Sequence, residues 1–175
     1  MNRFLGCLTV VAVMGASLPA GAETATLLGV YGDWTALQVG AGDSMTCFAR
    51  SEPHAMRPTS VKRAKDAVYL LISDWPGRKV KAETQIVYGY KGNEKGVAAL
   101  GVGADKFPIA IRNSGKDASG WLATLSDNTR VIDAMKDGAS VVVTGTPATG
   151  AKTIDTYGLQ GFGEALEKIH AACQM

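Results

Sequence analysis

"DTYGLQGFGEALEKIHAAC", Asp155 to Cys173, ends two residues before the chain does. Its first part completes the strand-like run "TIDTYGL". In its second part Phe162, Leu166, Ile169 and Cys173 recur at i, i+4, i+7 and i+11, one stripe of a helix to within a fraction of a turn. Glu164, Glu167 and Lys168 fall off that stripe. The periodicity therefore predicts a C-terminal helix whose last thiol faces the body of the protein. A strand followed by such a helix calls for a sheet to receive it.

The start of the chain says what the thiol is for. "MNRFLGCLTVVAVMGASLPAGAET" carries Arg3, then an apolar run from about Phe4 to Leu18, then Ala20-Gly21-Ala22. These are the three regions of a secretory signal, with cleavage expected after Ala22. The run is shorter than the roughly 20 residues a membrane-spanning helix needs, and no transmembrane segment is expected after cleavage. "LGC" at Leu5-Gly6-Cys7 precedes the apolar run instead of following it, so Cys7 leaves with residues 1–22. The remaining residues 23–175 have the size of one domain. Two thiols stay behind, Cys47 and Cys173, in a periplasmic or secreted setting that permits disulfides. A bridge between them closes a loop of well over a hundred residues, for which chain entropy gives about 4–5 kcal/mol at most. Two separate buried thiols are the alternative.

Between these ends the chain reads as mainly β. In "DWTALQV" the alternation puts Leu37 and Val39 on one face. In "SMTCFARS" Met45, Cys47 and Ala49 share a side, so Cys47 can point into a core. "AVYLLIS" is a continuous apolar run of strand length, as in a strand buried on both faces. "TQIVYGY", "FPIAIR", "GWLATL" and "ASVVVTG" follow, separated by "DWPGR", "YKGNEKG", "NSGKDASG" and "GTPATG". Short strands at this spacing predict an antiparallel β-sandwich or barrel. A helix interrupts them at "SDNTRVIDAMKDG", with Ser126 and Asp127 as capping candidates, Val131, Ile132 and Met135 on one side, and Gly138 as the stop. "RSEPHAMRPTSVKRAKDA" reads as a long loop.

Motifs that would carry a reaction fail on spacing. "GTPATGAKT" resembles a phosphate-binding loop, but Ala151 separates Gly150 from Lys152 and Thr153, and a strand follows where a helix is needed. It reads as a turn. "GVGADKF" lacks the third glycine of a dinucleotide site. Neither histidine, His54 or His170, sits in a recognisable base-and-carboxylate setting. Cys47, His54, His170 and Cys173 form a conceivable zinc set, disfavoured by the seven-residue spacing across Pro53 and by an oxidising compartment. No catalytic, metal or cofactor residue is assigned, and no enzyme activity is expected.

The net charge of +2 falls to about +1 once Arg3 is removed, too balanced to single out nucleic acid as a partner. Arg57, Lys62, Arg63 and Lys65, with Arg78, Lys79 and Lys81, read as solvated loop charges or as a patch for acidic glycans. Trp75, between Asp74 and Pro76, is the tryptophan expected at the surface. Trp75, Arg57, Lys62 and Arg63 are thus the candidate binding surface.

Taken together, "GDWTALQ", "CFARSEP", "VVVTG" followed by "DTYGLQGFGEAL", and the terminal cysteine resemble the invasion-associated locus B proteins, small exported bacterial proteins. Tyr157, Leu159, Gly161 and Phe162 are the most specific piece. The chain departs from that pattern at "PATGAK", where an arginine-containing turn is expected, and at Gly158, where a serine is expected. The resemblance implies a β-sandwich with added helices and no catalytic residues. It implies a role in host-cell interaction or in the envelope, with a protein or glycan partner there or on a host surface. A periplasmic module for a small ligand or glycan is the other function in play.

Overall fold

The structure is a computed structural model and describes residues 24–63, 65–115 and 117–175. The expected signal, residues 1–22, lies outside the described residues. The strands are β1 (Thr26–Tyr31), β2 (Trp34–Val39), β3 (Thr46–Ser51), β4 (Ala55–Arg57), β5 (Tyr69–Trp75), β6 (Val80–Val87), β7 (Ala99–Val102), β8 (Asp105–Ser114), β9 (Asp117–Leu122), β10 (Ser140–Gly145) and β11 (Thr153–Gly158). Helix α1 (Leu125–Asp137) joins β9 to β10, and α2 (Phe162–Cys173) follows β11.

Among the described residues the eleven strands belong to one antiparallel sheet in the order β1-β2-β3-β5-β6-β9-β8-β7-β10-β11-β4. The long strand β8 serves both halves. Its first residues, Asp105–Pro108, pair with β7, and Ile109–Ser114 pair with β9. The two halves fold over a common core that takes Trp34, Cys47, Leu70 and Ile86 from one side and Leu100, Val141, Val143 and Tyr157 from the other. The ends of the sheet meet: Trp34 Nε1 on β2 donates to the Gly158 carbonyl on β11 at 3.1 Å. This is the mainly β, sandwich-like architecture with two helices that the segment pattern predicts.

Three local readings change. On β2 the buried face is that of Trp34 and Ala36, because the large indole and its N–H find both a core and an acceptor there; Leu37 and Val39 are half-buried on the outer face. On β5 Leu70 and Ile72 are fully buried while Tyr69 and Leu71 are only half-covered, so one face of the apolar run looks outward. Helix α1 is capped by Thr124, two residues before the first expected cap. Its Oγ1 accepts from the Asp127 N–H at 3.1 Å and donates to the Asp127 carboxylate at 2.8 Å. The long loop 50–67 also contributes β4, which pairs with β11 through Ala55–Arg57 and forms the sheet edge.

Helix α2 starts at Gly161, whose φ of 80° is left-handed and whose missing Cβ leaves room for the Tyr31 carbonyl. Phe162, Ala165, Leu166, Ile169 and Cys173 are buried against β1, β2, β3 and β5. The Phe162 ring lies 4.9 Å from that of Trp34. Helix α1 covers β6 to β9 with Val131, Ile132 and Met135.

Candidate functional site

The two cysteines are joined, with Cα atoms 5.9 Å apart and a sequence separation of 126. Cys47 is inward on β3 because alternation along Thr46–Ser51 also buries Ala49; Cys173 is inward because it ends the apolar stripe of α2. The bond is buried at both ends. A second tie lies beside it. Asp74 pairs across the ladder with Cys47, and its carboxylate meets His170 Nδ1, three residues before Cys173, at 2.6 Å. The other Asp74 oxygen accepts from the Ala82 N–H at 2.8 Å. That N–H is free because the β5–β6 register shifts between Ser73 and Trp75, and Ala82 takes a positive φ of 54°. A wholly buried carboxylate is thus satisfied by one backbone and one side-chain partner, and it anchors the helix to the sheet.

His54 has a partner too. Its Nε2 lies 2.9 Å from Asp33 Oδ1, at the rim of a groove of about 340 Å³ shared with Arg50 and Glu52. Sequence reading missed both aspartate–histidine pairs, since each joins residues distant along the chain. The four side chains weighed for zinc do not converge: the cysteines are bonded to each other and the histidines sit on separate aspartates.

The candidate binding surface separates into unrelated places. Arg63 is a correction: its side chain is 1% exposed and makes two hydrogen bonds, 2.7 and 2.6 Å, to the fully buried Asp155. Arg57 stays exposed on the edge strand β4, and Lys62 stays exposed in the following loop. Trp75, at the end of β5, is half-buried rather than prominent, with the Arg78 guanidinium 5.2 Å from its ring. It lines a groove of about 380 Å³ on the outer sheet face with Phe48 and Leu71, and none of the three cations reaches that groove.

Around Arg63 lies a cluster that charge spacing alone does not disclose. The guanidinium stands 5.4 Å over the Tyr90 ring, and Tyr88 and Tyr157 complete the surroundings. Burial works against the charge on Arg63, but the hydrogen bonds and charge of Asp155 outweigh it and raise the guanidinium pKa. Burial, with the Asp155 charge adding to it, pushes the Tyr90 phenol up to about 12, drives Tyr88 higher still, and raises Tyr157 well above the ordinary phenol value. The one sequence signal was alternation: Thr153, Asp155 and Tyr157 all face inward on β11, and an inward carboxylate calls for a cation.

With this geometry in hand, the chain can be set beside known proteins. A solved structure of similar fold is the invasion associated protein B of Bartonella henselae, at 15% sequence identity and a TM-score of 0.57, covering 84% of this chain and 98% of that one. The likeness is one of fold. No family model and no curated protein matches the sequence. The stretches behind the sequence resemblance meet in space: the Asp33 N–H donates to the Gln160 carbonyl at 2.9 Å, and Trp34 touches Gly158 and Phe162. At Gly158, where the pattern expects a serine, an added Cβ would fall on the Asp33 carboxylate that holds His54. Among the described residues no helix is long and apolar enough to cross a membrane.

Proposed function

We propose that this chain is an exported, non-enzymatic bacterial envelope protein of the invasion-associated locus B type, working through its surface on a protein or glycan partner. The buried Cys47–Cys173 bond carries this reading, because a disulfide of that kind is made and kept in an oxidising compartment. The signal-like first 22 residues and the fold likeness to the Bartonella protein agree with it. The two aspartate–histidine pairs fit structural roles: Asp74–His170 ties α2 to the sheet, and Asp33–His54 borders the junction between β2 and β11. Fractionation of the native bacterium tests the reading. It expects the protein outside the cytoplasm and beginning at Glu23; a cytoplasmic chain still starting at Met1 contradicts it.

The groove at Trp75 favours a second reading, a small-ligand or glycan module. Phe48, Leu71 and Trp75 give it an apolar floor, Gln85 gives it an amide, and the buried Trp75 Nε1 has no hydrogen-bond partner among the described residues. Glycan screening of the wild type against Trp75→Ala separates the two readings. Saturable binding lost in the variant supports the module, and equal signals from both proteins contradict it.

A further inference from the structure

A cavity of about 500 Å³ lies between the start of β6, helix α1 and the side of α2, within the roughly 300–1,000 Å³ of small-molecule sites. Its floor is apolar, with Val80, Ala82 and Ile132, and its lip carries Leu125. That leucine is 79% exposed at the first turn of α1 and so offers uncovered apolar surface to an occupant. The titratable side chains facing the cavity are Lys79, Lys81, Lys136 and His170, opposed by Asp133 alone.

Two features show that the rim is built. His170 spends Nδ1 on the buried Asp74, which fixes a ring that lines the cavity and whose Nε2 has no hydrogen-bond partner among the described residues. Ala82, next to Lys81, holds a positive φ of 54° at the β5–β6 irregularity, and Lys79 holds the same value as the left-handed cap of the Pro76–Arg78 turn. Such backbone is uncommon for residues other than glycine and concentrates where side chains are re-aimed at ligands. The same Asp74 stabilises both features, since it accepts the Ala82 N–H and orients His170.

From this convergence we propose that the α1–β6–α2 cavity binds an anionic amphiphile. Its carboxylate or phosphate sits between Lys81 and Lys136, with His170, whose Nδ1–H is committed to Asp74, donating from Nε2 as the imidazolium, and its alkyl body covers Ile132 and Leu125. A neutral ligand would leave the cations without a counter-charge, and a fully polar anion would leave the leucine wet. The site does not depend on where the protein works, so it stands or falls apart from the export reading.

Titration of the purified protein with dodecanoate and with decyl phosphate, followed by amide and histidine NMR shifts, tests the proposal. Octyl glucoside serves as the uncharged control. The expected result is saturable one-to-one binding of at least one anion, with shifts concentrated at Lys79–Ala82, α1 and His170. Affinity falls at least about tenfold in Lys81→Gln/Lys136→Gln, a change of exposed residues that leaves the fold intact. His170→Asn, which keeps a donor for Asp74 but loses Nε2, weakens binding in the same direction. Dodecanoate alone binding assigns a carboxylate, decyl phosphate alone a phosphate. Failure of both anions to saturate, equal affinity for octyl glucoside, shifts centred on another groove, or a loss under tenfold in the double lysine variant overturns it.

Discussion

Arg63 and Asp155 show how one residue can be misread when its partner is far away in sequence. In a run with Lys62 and Lys65 the arginine looks solvated, yet 92 residues later β11 turns a carboxylate inward and the two bury each other. Removing one member strands a charge, so Arg63→Ala should cost about 3–5 kcal/mol in urea unfolding, whereas Arg63→Met/Asp155→Leu should recover most of that loss. A single variant within about 1 kcal/mol of wild type would contradict the pairing. The surrounding phenols give a second expectation. Their folded pKa values lie above the ordinary value of about 10, so the unfolded chain releases these protons first. The stabilisation is therefore complete below pH 10 and declines as pH rises through about 12. Absorbance of phenolate at alkaline pH should show Tyr88, Tyr90 and Tyr157 ionising after the other tyrosines; Tyr90→Phe should remove one late-titrating group. All five tyrosines ionising together near pH 10 in the folded protein would argue against the cluster.

At the scale of elements, periodicity told most where one face is plainly apolar. The stripe of α2 and the inward side of β3 were legible because their patterns are simple. β2 was not, since Trp34 and Ala36 differ too much in size to read as one face, and the outward Leu37 and Val39 are just as apolar. The edge strand β4 was hidden by the prolines on either side of it, which mark loops, although an edge strand tolerates them nearby. The aspartates that hold the histidines were illegible for another reason: each contact is made by tertiary packing and leaves no local spacing. Gly158 offers a direct check on how β11 meets β2. Gly158→Ser should destabilise the protein by about 1–3 kcal/mol and break the Asp33–His54 contact, while Gly163→Ser, with open space around its Cβ position, should stay within about 0.5 kcal/mol. Equal effects in urea melts would mean that the β2–β11 junction is looser than described.

Over the whole molecule, the sheet closes on itself through β8 at one side and through the Trp34–Gly158 contact at the other, and α2 lies over the second closure. The disulfide and the adjacent Asp74–His170 bond fasten that helix to β3 and β5. Because the bond joins positions separated by 126 in sequence, opening it gives the unfolded chain much more freedom; Cys47→Ala/Cys173→Ala should lose about 2–5 kcal/mol, read as a lower urea midpoint. Intact mass of protein taken from its own bacterium reads the bond and export at once. The expected result is a chain beginning at Glu23 that takes up no alkylating reagent until reduced, and then takes up two equivalents, one each at Cys47 and Cys173. A chain retaining residues 1–22, or one whose two thiols alkylate without reduction, would contradict it.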